Sequence, residues 1–233
     1  KYRSKASVFA VLITGYMLAV SFPTFAQEVE FAWAAGMGDS GSNFGHGIAV
    51  DASGNVYTTG SFEGTVDFNP GAGVSNLTSA GSRDIFVSKL DADHNFLWAQ
   101  RMGSTGWDEG YGIALDASGH VYTTGGAGSG AVIQKQDSGG NILWSRNVSG
   151  AIGTAIAVDA SGHAYTTGYF PSTVDFDPGA GVSNLTSAGD NDIFVQKLDP
   201  NGDFAWAVNL GGSPFHDEGY GIAVDASGFV YAT

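Results

Sequence analysis

The feature that most constrains this chain is its self-similarity. The stretch "VDASGNVYTTG" at residues 50–60 returns as "LDASGHVYTTG" at 115–125 and "VDASGHAYTTG" at 158–168, and begins again as "VDASGFVYAT" at 224–233. A second element recurs between these copies: "DIFVSKLDADHNFLW" at 84–98, "GAVIQKQDSGGNILW" at 130–144 and "DIFVQKLDPNGDFAW" at 192–206, with a partial "EFAW" ending at Trp33. A chain that repeats at such intervals stacks one supersecondary unit many times, because a single unit cannot bury its own apolar face. The interval from Asp116 to Asp159 falls in the ~40–50-residue range of propeller blades. The intervals on either side hold an insert, "VDFNPGAGVSNLTSAG" at 66–81 and "VDFDPGAGVSNLTSAG" at 174–189, whose two copies differ only at Asn69 and Asp177.

Both elements read as β-hairpins. "GIAVD" and "VYTTG" are rich in β-branched and aromatic residues and flank a run of turn residues. In D-A-S-G the aspartate accepts hydrogen bonds from the following backbone N–H groups, and the glycine takes a positive φ without a Cβ clash. Asp51 with Gly54, Asp116 with Gly119, Asp159 with Gly162 and Asp225 with Gly228 are therefore structural repeat residues. Trp98, Trp144 and Trp206 share one repeat position and read as packing anchors between units. Two hairpins make a four-stranded antiparallel unit. Its strands alternate poorly: Ile48, Ala49 and Val50 run together, as do Ile85, Phe86 and Val87. Sheets covered on both faces read this way, and radially stacked propeller blades are so covered. With 36 Gly and no convincing helical period after Ala26, the expected class is all-β, a propeller of four-stranded antiparallel blades. Units are expected at 46–103, 111–147 and 153–210, with a partial one at 219–233. The insert is expected at the rim.

The repeat, G-I-A-V-D-A-S-G-N-V-Y-x-T-G followed by D-I-F-V-x-K-L-D-x-x-G-x-x-x-W, resembles the bacterial seven-bladed beta-propeller (SBBP) repeat over residues 31–233. The resemblance implies a propeller and an exported, cell-surface or S-layer-like protein. It brings no catalytic residues. The middle copy departs from it at Gly130 and Gln136. The units counted fall short of the four to eight blades of a ring. This predicts an incomplete ring of about three and a half blades, a fragment truncated at the C-terminus. In a complete ring the strand at Glu30–Gly36 would close the last blade.

Residues 1–26 read as a secretory signal peptide: basic Lys1, Arg3 and Lys5, an apolar run, then small residues at Thr24 and Ala26 before a cut ahead of Gln27. The propeller domain is then 27–233, with no transmembrane segment in the mature chain and a secreted or surface location. There is no Cys, which excludes disulfides, thiolate zinc sites and a cysteine nucleophile. The net charge of −14 argues against nucleic acid.

Chemistry is sparse in the sequence. His120 and His163 fill a turn slot, and His46, His94 and His216 share no metal-ligand spacing. "DADHN" (Asp91, Asp93, Asn95) and "DPNGD" (Asp199, Asn201, Asp203) resemble the first half of a calcium loop but lack the Glu that closes an EF-hand. Their simple reading is an Asx-stabilised hairpin turn; the sharper one is a weak calcium site, the one cofactor the sequence offers. "GGAGSGA" at 125–131 lacks the Lys of a phosphate loop, and no G-x-S-x-G elbow with triad partners appears. The expectation is a non-catalytic scaffold that binds protein or surface polysaccharide through the channel mouth or rim inserts. The alternative is a propeller hydrolase, lyase or dehydrogenase with its active site in missing blades. A third reading makes the stretch a spacer in a larger adhesin.

Overall fold

A computed structural model describes residues 10–13, 16–19, 33–39, 41–128 and 130–233. The chain divides into two compact units, Lys1–Ala34 and Ala35–Thr233. In the first, Ala10–Ile13 (β1) and Tyr16–Ala19 (β2) form an antiparallel pair. The rest of the segment expected to be a leader, and residues 30–32 of the strand expected at Glu30–Gly36, lie outside the described residues. Residues 33–39 carry no regular element.

The second unit is all strand and turn. Asn43–Val50 (β3), Val56–Phe62 (β4), Asp84–Leu90 (β7) and Phe96–Met102 (β8) pair in that order as an antiparallel meander, the first blade. Between β4 and β7 the insert forms its own hairpin, Thr65–Asp67 (β5) with Asn76–Thr78 (β6). The second blade has no insert: Glu109–Leu115 (β9), Val121–Ala127 (β10), Gly130–Gln136 (β11) and Ile142–Ser149 (β12). The third repeats the first: Ile152–Val158 (β13), Ala164–Phe170 (β14), Asp192–Leu198 (β17) and Phe204–Leu210 (β18), with Thr173–Asp175 (β15) and Asn184–Thr186 (β16) as the insert hairpin. Ile222–Val224 (β19) and Val230–Ala232 (β20) begin a fourth. These are the four-stranded antiparallel blades of a propeller. The three full blades span 43–102, 109–149 and 152–210, within three residues of the limits expected from the sequence. Among the described residues they do not close a ring.

The first strands, β3, β9, β13 and β19, lie each against the next, and this is how blade follows blade. The middle strands are covered on both faces: every residue of β7 and of β11 is buried. That cover accounts for the lost alternation at Ile85, Phe86 and Val87; in β3 it does not hold, because Ile48 and Val50 are 68% and 59% exposed on the first blade, against which no earlier blade packs among the described residues.

The insert is more than a loop. Phe68 of its first copy packs edge-on against Phe62 at 5.3 Å and tilts over Phe86 at 4.9 Å; Phe176 repeats this with Phe170 at 5.2 Å and Phe194 at 4.8 Å. Both are nearly or wholly buried. Burying a phenylalanine contributes about 1.5–3 kcal/mol, so each insert extends the core of its own blade. The hairpin leans on the outermost strand, β6 against β8 and β16 against β18, which puts it at the rim.

The turns close as their residues require. Asp116 Oδ1 accepts the backbone N–H groups of Ser118 at 2.9 Å and His120 at 3.0 Å, and its Oδ2 faces His120 Nδ1 at 2.7 Å and accepts the Tyr122 hydroxyl at 3.2 Å. Gly119 stands at φ 78°, where a Cβ would be strained. Asp51, Asp159 and Asp225 hold the same pattern with Tyr57, Tyr165 and Tyr231, beside Gly54, Gly162 and Gly228, all at positive φ.

Candidate functional site: the bulged inner strands

Each blade's first strand carries a β-bulge at the same place. In β3 the pairing jumps from Gly45 to Gly47, leaving His46 out of the ladder. In β9 it jumps from Gly110 to Gly112 and extrudes Tyr111. In β13 it jumps from Gly153 to Ala155 and extrudes Thr154. Tyr220 occupies the matching position ahead of β19, between Gly219 and Gly221. A bulge re-aims the side chain it extrudes. All four side chains point to one cleft of about 320 Å³, which Ile152, Tyr169 and Glu218 complete.

The glycine that ends Y-T-T-G is what admits the bulge. A Cβ on Gly60 would lie 1.8 Å from the carbonyl oxygen of Phe44, one on Gly125 2.0 Å from that of Glu109, and one on Gly168 1.9 Å from that of Ile152. The bulged backbone thus sits directly on a residue that must lack a side chain. The frame is constant, and the residue it presents changes from His to Tyr to Thr to Tyr.

Two residues before each bulged position stand Phe44, Glu109, Ile152 and Glu218. Glu109 accepts the Tyr111 hydroxyl at 2.5 Å and a short ion-pair bond from Arg83 Nη1. Burial pushes its pKa up, but the bonds from Tyr111 and Arg83 and the Arg83 charge outweigh this and hold it below the usual carboxylate value. The Tyr111 hydroxyl is pushed up, by burial first and then by Glu109. Arg83 is clamped as a cation, with its guanidinium 4.7 Å from the Phe44 ring centre and 4.6 Å from that of Trp107.

In the third blade the carboxylate and its tyrosine recur, while Ile152 and His216 stand at the places of Phe44 and Trp107. Asn191 stands where Arg83 stood and reaches Glu218 Oε1 at 3.4 Å, while the Tyr220 hydroxyl donates to Oε2. Tyr169 lies between the two acids. Its hydroxyl is raised by burial first, then by the charges of Glu218 and Glu109.

A buried carboxylate fixes the loop that carries Glu109. Asp108, fully buried, accepts the N–H of Ser104 at 2.5 Å and of Gly128 at 2.6 Å. It therefore ties the 103–107 loop to the second blade. Asp217 accepts the Gly212 N–H at 3.0 Å at the matching place.

The residues singled out from the sequence lie elsewhere. Asp91 Oδ1 accepts the N–H groups of Asp93 at 2.9 Å and Asn95 at 2.8 Å; Asp199 Oδ1 accepts those of Asn201 at 2.8 Å and Asp203 at 2.9 Å. These are Asx turns. Asp137, in a copy without the middle ligand, closes the same way on Gly139 and Asn141 at 2.9 Å. No group of three or more His, Cys, Asp or Glu able to hold a metal ion gathers among the described residues. Trp98 and Trp144 pack edge-on against Tyr57 and Tyr122 and donate Nε1–H to Ser138 O at 3.1 Å and Pro200 O at 3.0 Å in the following blade. Trp206 packs against Tyr165 at 6.2 Å.

Sequence reasoning set His46 aside as one of several scattered histidines and gave no role to Tyr111, Thr154, Tyr169 or Tyr220. The signal was a changing residue inside an unchanging G-x-G/A frame.

Known proteins agree with this architecture. The family model of the SBBP beta-propeller repeat matches residues 36–61, the span of β3 and β4 with the first bulge. An uncharacterized WD repeat-containing protein, L264 of Acanthamoeba polyphaga mimivirus, is 30% identical over 114 residues, 43% of this chain. The match covers 8% of that relative's length.

Proposed function

We propose that this chain is a non-catalytic propeller scaffold, exported and displayed at or beyond the cell surface, which binds a protein or polysaccharide through the mouth formed by its bulged inner strands. One observation carries the reading: a constant backbone device presents a different side chain at each blade, all to one cleft. A rigid frame with variable projections is how loops and bulges on a scaffold recognise ligands. The chemistry supports binding over turnover. Glu109 is held ionised by Arg83 and Tyr111, which suits a fixed acceptor and not a general acid. Export is supported by the basic, apolar, small-residue order of residues 1–26.

The test is an array of peptides and bacterial surface polysaccharides probed with the chain and with its Tyr111→Ala, Tyr220→Ala double variant. Ligands retained by the chain and lost by the variant are expected. Equal retention of every ligand by both would remove the mouth as the binding site.

A further inference from the structure

We propose that the cleft takes a cationic side chain of a protein partner, the guanidinium of arginine or the ammonium of lysine, and pairs it with Glu218. The inference rests on the binding role of the mouth and names its ligand chemistry.

The first argument is the balance of donors and acceptors. The Tyr111 hydroxyl donates to Glu109, the Tyr220 hydroxyl to Glu218 and the Thr154 hydroxyl to the Gly219 carbonyl. Each hydroxyl thereby spends its only proton inside the protein. What remains toward the cleft is carboxylate lone pairs, tyrosine oxygens and ring faces, together with the Tyr169 hydroxyl and the His46 ring, which keep a proton to donate but are not bonded to Glu218. A ligand that pairs with Glu218 brings further donors and the positive charge. A guanidinium or an ammonium does both and accepts nothing.

The second argument is internal to the chain. Opposite Glu109 the protein supplies its own cation: Arg83, stacked between Phe44 and Trp107 and ion-paired to the acid. Opposite Glu218, in the same frame, it supplies the shorter and neutral Asn191. Glu218 has no ion-pair partner among the described residues. Tyr111, Tyr169 and Tyr220 stand around it with His46. Aromatic rings beside a carboxylate are the surroundings that a desolvated cation prefers. The cleft's ~320 Å³ lies at the small end of ligand sites, which fits one side chain.

The experiment titrates the chain with acetyl-arginine amide, acetyl-lysine amide and the neutral acetyl-citrulline amide, following tyrosine signals by NMR. The two cations are expected to shift those signals, and citrulline to bind at least tenfold more weakly. Glu218→Gln is expected to weaken the cations at least tenfold, while Glu63→Gln, which removes the same charge from an exposed turn, leaves them unchanged. Asn191→Arg supplies the cation internally and is expected to abolish binding; a midpoint of unfolding at or above that of the parent shows the variant folded. Citrulline binding as well as arginine overturns the proposal, as does equal weakening by Glu218→Gln and Glu63→Gln, which would mean attraction to the acidic surface as a whole. If array ligands depend on Tyr111 and Tyr220 but ignore Asn191→Arg and Glu218→Gln, the mouth binds and its ligand is not a cation. If tripeptides presenting the cation bind and n-butylammonium alone does not, the partner is a polypeptide; equal binding of both makes it a free amine and overturns the assignment to a protein.

Discussion

The aspartate of D-A-S-G does several jobs with one carboxylate. Asp116 takes two backbone N–H groups, a histidine ring and a tyrosine hydroxyl, and its side chain is 10% exposed. Burial raises its pKa, and these bonds together outweigh burial and leave it lowered; the same holds for Asp51 and Asp159. A carboxylate whose folded pKa is depressed stabilises the fold above its unfolded value of ~3.9, and that stability is lost as pH falls through the folded value. Asp116→Ala strands two turn N–H groups, while the Tyr122 hydroxyl keeps the Gly162 carbonyl at 3.1 Å, and is expected to cost about 2–3 kcal/mol at pH 7. Asp116→Asn keeps one acceptor for the N–H groups and is expected to cost less. Urea midpoints at pH 7 and pH 3 check both, and the alanine variant should lose less than the parent on acidification. Asp91 and Asp199 belong to the same argument. Their turns close on backbone N–H groups as that of Asp137 does. Melting in millimolar calcium and in chelator is expected to give equal midpoints; a higher midpoint in calcium would establish a stabilising site at Asp91 or Asp199.

At the scale of the strand, the bulge joins fold to function. Gly125 lets the Glu109 carbonyl approach to where its Cβ would be, and Tyr111 is extruded as a result. Gly125→Ala is expected to destabilise the chain by roughly 1–3 kcal/mol, as overpacking of a close contact does, and to move Tyr111 out of the cleft. Chemical shifts of Tyr111 in the folded variant check this; an unmoved Tyr111 would mean that the bulge does not depend on the glycine. The turns and strands were legible in the sequence because their causes are local: an Asx acceptor, a glycine at positive φ and a run of β-branched residues. The cleft was not. Tyr111, Tyr169 and Glu218 come from three different blades and meet only because the first strands lie against one another. The bulge itself follows from a contact between strands, with the glycine on one and the carbonyl on the other. Only the changing residue of G-x-G/A showed locally, and a search for constant residues passes over it. The insert was legible as a rim element, but the burial of Phe68 and Phe176 was not, because their partners lie outside it.

At the scale of the blade stack, the first blade is latched to the second and the second to the third by two side chains that face each other across neighbouring strands of the repeat. Trp98 Nε1 and Lys89 Nζ both donate to Ser138 O, at 3.1 and 3.2 Å; Trp144 Nε1 and Lys135 Nζ both donate to Pro200 O, at 3.0 and 3.3 Å. The lysines lie 4.8 and 4.9 Å from the rings of Tyr57 and Tyr122, so ring and carbonyl together hold each buried cation. Stability of a repeat array is a sum of unit and interface contributions. Equivalent tryptophans should therefore differ in cost according to the interface each one serves. Trp144 is 9% exposed and its ring lies against Gly202 of the next turn, whereas Trp206 is 36% exposed. Trp144→Ala is expected to cost about 3–5 kcal/mol, the range for emptying a buried aromatic site, and Trp206→Ala less than half of that. Trp144→Phe keeps much of the packing and removes only the donor to a carbonyl that Lys135 still serves, so its cost should be near 1 kcal/mol. Guanidinium denaturation of the three variants would show it. Equal losses for Trp144→Ala and Trp206→Ala would mean that the tryptophan stabilises its own blade through Tyr122 and Tyr165 and that the latch between blades contributes nothing measurable.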